Sequence, residues 1–161
     1  MIIWLTGKPG SGKTSLAKRF IDDKLIGFMK VHPHKIVHID GDDLRELTSN
    51  KDYSEDGRRK NVKLATDIAK FLDNQHFTVV VSVVAPYRSQ REQLKIERTI
   101  IEFYIHTTKT RGKEHYFVHE YEQPRENFTD INTNETIEKC TNKMLHIYRT
   151  SSVVNSSVVV P

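Results

Sequence analysis

Apolar positions along this chain fall into two rhythms. Short apolar runs at residues 2–6, 36–39 and 100–105 read as strands, the first followed at once by a glycine turn. Residues 78–84 form an unbroken β-branched run, the mark of a strand buried on both faces. Between these runs the spacing changes to that of helices. Leu16, Ala17 and Phe20 share a face over 12–21. Val62, Ala65, Ile68, Ala69 and Leu72 do so over 56–75, and Ile137, Cys140, Met144 and Ile147 over 134–149. Pro86 ends the third strand and a charged surface helix is predicted over 88–97. His32-Pro33-His34 reads as a loop, and 128–131 as a fifth strand.

Residues 107–124 break all periodicity. They are polar, basic and aromatic, which suits a mobile active-site loop. The tail 150–161 mixes Ser with Val, and both disorder and an added edge strand stay open for it. Strands alternating with helices imply right-handed crossovers and a parallel sheet. The expected architecture is a three-layer α/β domain with a mainly parallel five-stranded sheet. It would occupy 1–150 as a single unit with a lid at about 107–123, followed by a tail at 151–161.

Composition narrows this modestly. A chain of 161 residues, 37% hydrophobic and 29% charged, suits one soluble domain with a full core. The net charge of +4 is mild; an anionic small-molecule substrate explains it, and nucleic acid is not required. The single cysteine, Cys140, excludes an internal disulfide and points to a reducing, cytoplasmic setting. The apolar start lacks a basic flank and breaks into Gly7-Lys8-Pro9-Gly10, so it reads as a strand rather than a signal peptide. No apolar run approaches the ~18 residues of a membrane helix. Sequons at Asn127, Asn134 and Asn155 are read as chance matches.

Two motifs carry chemistry. Gly7-Lys8-Pro9-Gly10-Ser11-Gly12-Lys13-Thr14 fits G-x-x-x-x-G-K-[ST] between a predicted strand and a predicted helix. Glycines let consecutive backbone amides curl round one anion, and the helix start adds its positive end. Lys13 then reaches the β- and γ-phosphates of ATP while the Thr14 hydroxyl ligates Mg²⁺. The nucleotide site expected here runs from Gly7 through Ser15. The second motif, Asp40-Gly41-Asp42-Asp43, follows the second strand, where ligands of open α/β sheets bind. Two carboxylates there can share one site, one holding a metal-bound water and the other taking a hydroxyl proton. A turn with a helix N-cap explains the same residues, and spacing alone leaves both open. Arg45, one helical turn from Asp42, suits either a structural ion pair or a substrate anion.

With these residues in view, the chain resembles the adenylylsulfate kinase (APS kinase) family over about 2–150, without a gap from 40 to 91. The resemblance rests on Ile3-Trp4-Leu5-Thr6-Gly7 leading into Gly10-Ser11-Gly12-Lys13-Thr14, and on Asp40-Gly41-Asp42-Asp43-Leu44-Arg45. It continues through Tyr53-Ser54-Glu55-Asp56 with Arg58 and Asn61, and Pro86-Tyr87-Arg88 with Arg91. Tyr121-Glu122-Gln123-Pro124 and Asp130-Ile131-Asn132-Thr133 complete it. It implies MgATP-dependent phosphorylation of the 3′-hydroxyl of adenosine 5′-phosphosulfate (APS), giving PAPS, in a homodimeric enzyme. It also implies that Arg45, Arg58 and Asn61 bind the phosphosulfate and that Tyr53 stacks on adenine. Ala85 and Pro86 would line the acceptor site. Asp42 and Asp40 would orient or deprotonate the hydroxyl and help place Mg²⁺. On charge alone Arg58, in Arg58-Arg59-Lys60, would read as a solvated helix face.

Two departures from the family pattern stand out. Ala85 occupies a position where many members carry a phosphorylatable serine, which leaves direct in-line transfer. The lid is cut to residues 109–120; by residue type Phe117 is assigned as a second aromatic wall, and Arg111 or Lys113 as reaching the phosphates on closure. The short lid keeps two rival readings in play: a kinase of another hydroxyl acceptor (nucleoside, nucleotide or modified DNA base), and a nucleotide-binding module without catalysis. His32, His34 and His38 lack the spacing and cysteine support of a metal site. His115 and His119 are read as solvated, Cys140 as buried and inert, and Trp4 as core or sheet-edge packing.

Overall fold

The computed structural model describes residues 1–29, 35–112 and 120–156. His32, His34, Lys113, His115, Phe117, His119 and the last five residues lie outside that set. Five strands form one sheet: β1 (Ile2–Thr6), β2 (Ile36–Asp40), β3 (Thr78–Ser82), β4 (Ile100–His106) and β5 (Thr129–Asn132). Their spatial order is β2-β3-β1-β4-β5, and every pairing is parallel. β1 is therefore central, which places Trp4 in the core, 1% exposed, rather than at an edge.

Both faces of the sheet are covered, as continuous apolar strands require. Ile3, Leu5, Val80, Phe103 and Ile105 pack with Leu16, Ala17 and Phe20 of α1 (Lys13–Phe20) and with Cys140 and Met144 of α6 (Ile137–Ser156). Ile2, Trp4, Val79 and Val81 point the other way, onto Val62, Ala65 and Ala69 of α4 (Glu55–Asn74) and Leu94 of α5 (Arg88–Glu97). Each such aliphatic side chain, fully buried, contributes about 1.5–3 kcal/mol.

The sequence rhythm and the structure differ at five places. The first helix does not end at residue 21. A π-helical turn, Ile21–Leu25, carries it into α2 (Ile26–Met29). The wider turn returns Leu25, five positions after Phe20, to the same buried face; the polar Asp22-Asp23-Lys24 hides this from a 3.6-residue period. A short helix, α3 (Gly41–Leu47), follows β2 directly, capped by the Asp40 side chain. β3 ends two residues early, because the chain leaves the sheet for the glycine-rich loop and Ala85 takes a left-handed φ of 42°. β5 is shifted by one residue. α6 starts at Ile137, with Thr136 capping the Lys139 amide, because Asn134 is held outside the helix by Thr107 and Thr108; it continues to Ser156. Among the described residues no helix is long and apolar enough to cross a membrane.

Candidate active site

Every strand delivers its C-terminal end to one edge of the sheet, beside the point where β1 is flanked by β3 and β4, the expected place for a ligand crevice. A cleft of about 540 Å³ opens there. Its first end is built by residues 7–15. Gly7, Gly10 and Gly12 all have left-handed φ values. At Gly7 this is required twice over, since a Cβ would lie 2.1 Å from the Ile105 carbonyl oxygen. Lys13 Nζ donates to the carbonyls of Gly7 (2.9 Å) and Lys8 (2.8 Å), so the loop is wound round its own lysine. The Gly7 and Lys8 carbonyls and the Ser11 hydroxyl meet the lysine, while Pro9, Gly10, Gly12, Lys13, Thr14 and Ser15 line the cleft.

Asp40 is the hub of the cleft's middle. Its Oδ1 accepts the Asp42 amide (2.9 Å), capping α3, and its Oδ2 accepts the Thr14 hydroxyl (2.7 Å) and the Ser82 hydroxyl (2.7 Å). The two readings of the acidic loop thus coexist in one residue: Asp40 is both an N-cap and a cleft carboxylate. Burial pushes its pKa up, but the hydrogen bonds from Ser82, Thr14 and the Asp42 amide outweigh this and hold it below the usual carboxylate value. Asp42, exposed at the first turn of α3, lines the same cleft.

The far end is a compact loop between α3 and α4. Tyr53 is 44% exposed, and two guanidinium groups approach its ring: Arg45 at 4.3 Å from the centroid and Arg58 at 5.7 Å. Arg45 donates to the carbonyls of Asp52 (2.7 Å) and Asn50 (3.3 Å), and Arg58 Nε to that of Tyr53 (2.8 Å). Gly57 permits the tight return, since a Cβ there would sit 2.2 Å from the Asp52 carbonyl. Asn61, almost fully buried, donates to the Gly41 carbonyl at 3.2 Å and ties α4 to the start of α3. Ala85 and Pro86 form part of the wall.

The family model described as adenylylsulphate kinase matches residues 1–146. The chain belongs to this family. A probable adenylyl-sulfate kinase of Pseudomonas aeruginosa is 30% identical over 106 residues, covering 65% of this chain and 47% of that protein. A cytidine diphosphoramidate kinase of Campylobacter jejuni is 33% identical over 98 residues, covering 58% of this chain and 55% of that protein. The matched stretches span about half the length of these curated relatives. The APS kinase of Mycobacterium tuberculosis in complex with AMPPNP and APS superposes with a TM-score of 0.76, at 18% identity, over 92% of this chain and 96% of that one. At that identity the likeness is one of fold.

In this adenylylsulphate kinase family member the described ends of the segment 107–123 are anchored to the phosphate loop on one side and to β1 and β4 on the other. Arg111 donates to the carbonyls of Thr133 (2.9 Å) and Gly10 (3.4 Å), and Thr133 donates to that of Ser11 (2.7 Å). Arg111 stands so close that a Cβ on Gly12 would meet its Nη1 at 2.6 Å. On the other side Tyr121 shares a 2.8 Å hydrogen bond with Thr6 and stacks on Tyr104. Arg91, whose offset formed part of the family resemblance, faces away from the cleft. It is buried against Glu102 (3.1 Å) and donates to the carbonyls of Ala85 and Glu122, so it braces the wall from behind. Sequence reasoning missed Ser82, the one hydroxyl in the cleft-facing half of the β3 run. It also set His38 aside, although His38 Nε2 lies 2.8 Å from Ser82 Oγ. The sequence signal was slight, a serine after three valines; its place beside Asp40 comes from the sheet register.

Proposed function

We propose that this protein transfers the γ-phosphate of ATP to the 3′-hydroxyl of APS, yielding ADP and PAPS. The observation that carries the reading is a single cleft with a glycine-rich phosphate loop at one end and Tyr53 between two arginines at the other. Family membership over residues 1–146 supports it. In the reaction the substrate O3′ attacks Pγ in line, the Pγ–O bond to ADP breaks, and the hydroxyl proton passes to Asp42. Lys13, Gly10, Gly12 and the loop amides neutralise charge on the transferring group. Ala85 carries no hydroxyl, so no covalent relay runs through that position. Tyr53 stacks on the base, and Arg45, Arg58 and Asn61 hold the anionic end.

Mg²⁺ fits the donor set. Thr14 gives its proton to Asp40, which leaves its lone pairs for a cation, and one hydroxyl with one carboxylate suits an ion that keeps waters and phosphate oxygens as its other ligands. Thr14 and Asp40 would hold Mg²⁺, which would supply positive charge to screen the phosphates. The reading also includes a cytoplasmic homodimer, on family membership alone.

A second acceptor is favoured by the Campylobacter relative, whose name places it on a cytidine diphosphoramidate. A panel of APS, cytidine nucleotides, nucleosides and DNA, assayed for ³²P transfer from ATP, separates the alternatives. The expected result is transfer to APS, lost by at least about 100-fold in Asp42→Asn. Transfer to another acceptor with APS inert overturns the APS reading. No transfer to any acceptor, with ATP bound, favours a binding module.

A further inference from the structure

The cleft is spanned by a reach across one strand. β3 lies between β2 and β1, so a carboxylate at the end of β2 meets the phosphate loop only across the end of β3. Asp40 is in register with Ser82, and Ser82 with Leu5 of β1. Ser82 is 2% exposed and small enough to let Asp40 pass over it to Thr14. It also makes a directed contact. The Asp40 carboxylate only accepts, so the single Ser82 proton is spent on Asp40 Oδ2. Ser82 Oγ must then accept from His38 Nε2–H at 2.8 Å, which fixes the histidine's hydrogen on that nitrogen. His38 and Asp40 are two residues apart on one strand and therefore share a face.

We infer that Ser82 and His38 are positioning residues for the metal–nucleotide: a directed chain, His38 to Ser82 to Asp40, holds Oδ2 where it draws the Thr14 proton and leaves the Thr14 lone pairs facing the cleft. The inference rests on the nucleotide reading above. Ser82 is a neutral bridge on the strand next to β1, over which the carboxylate of the strand further out reaches Thr14.

The test measures AMPPNP affinity by calorimetry with and without Mg²⁺, in wild type, Ser82→Ala, His38→Leu and His38→Gln. The readout is the ratio of the two affinities, which a purely structural role leaves alone. Ser82→Ala should lower the Mg²⁺ enhancement about tenfold, the scale of one hydrogen bond to an ionised group, with metal-free affinity unchanged. His38→Leu should lower it by about threefold, and His38→Gln, which keeps a donor, should restore it to within about twofold of wild type. If Ser82→Ala does not fold, the His38 pair decides. An unchanged ratio, or equal loss with and without Mg²⁺, overturns the assignment. A wild type with no Mg²⁺ enhancement instead removes the metal–nucleotide reading, and the chain with it.

Discussion

The two ends of the cleft are built on opposite plans. The phosphate end is braced by contacts between distant parts of the chain: Thr14 to Asp40, Asp40 to Ser82, Thr133 to Ser11, and Arg111 to Gly10. The far end, the proposed acceptor end, is braced among the described residues largely within 45–58. Arg45 bonds to Asn50 and Asp52, Arg58 to Tyr53, the Ser54 amide to Asp52, and Gly57 to the Ser54 hydroxyl. Asn61, bonded to Gly41, links α4 to the start of α3. The lesson is one of tolerance. The phosphate end draws its bonds from across the sheet edge, whereas the proposed acceptor end is a local loop, which on that reading could be re-cut for another substrate while the phosphate end stays intact. A family whose relatives carry names with different acceptors fits this division.

The division can be broken experimentally. The largest effect is expected from Lys13→Met, which removes the cation wrapped by the phosphate loop: kcat should fall by about 10²–10³, with acceptor binding kept. Loss of acceptor binding as well would mean that the ends are not independent. Gly57→Ala forces a Cβ against the Asp52 backbone. It should cost about 1–3 kcal/mol in thermal or denaturant unfolding and raise the KM for the acceptor while leaving that for ATP in place. Arg58→Ala should raise the acceptor KM about tenfold with little change for ATP; equal loss of both removes its assigned role.

The smallest effect concerns Tyr121, which is bonded to Thr6 at the end of β1. Burial raises the Tyr121 pKa above the ordinary 10.0. The folded protein therefore keeps a proton that the unfolded chain gives up. The associated stability is complete below about pH 10 and is lost as pH rises through the elevated folded value. Tyr121→Phe should flatten the fall in stability above pH 10 and, by deleting the bond to Thr6, lower stability at neutral pH by about 1 kcal/mol. An unaltered alkaline slope in urea titrations at pH 9–11 counts against this.

At the phosphate end, residues 7–15 were legible because a contiguous motif, flanked by a strand and a helix, needs only local backbone geometry to form. That Arg45, Tyr53 and Arg58 lie together was legible for the same reason, since short-range hydrogen bonds bring them to one place. Alternating runs also sufficed for a five-stranded α/β layout, because burial on both faces leaves an unbroken apolar signature. What the sequence alone left undecided was every choice that depends on strand order. Asp40 stayed balanced between cap and site ligand until β2 was set two strands from β1. Ser82 looked like one more strand residue, and Arg91 was only an offset in a motif, until the third dimension put the first at the centre of a hydrogen-bond chain and the second behind the wall. Sequence spacing sets which residues share a face of one element. Only the packed sheet sets which faces meet, because that depends on the summed burial of all strands and helices at once.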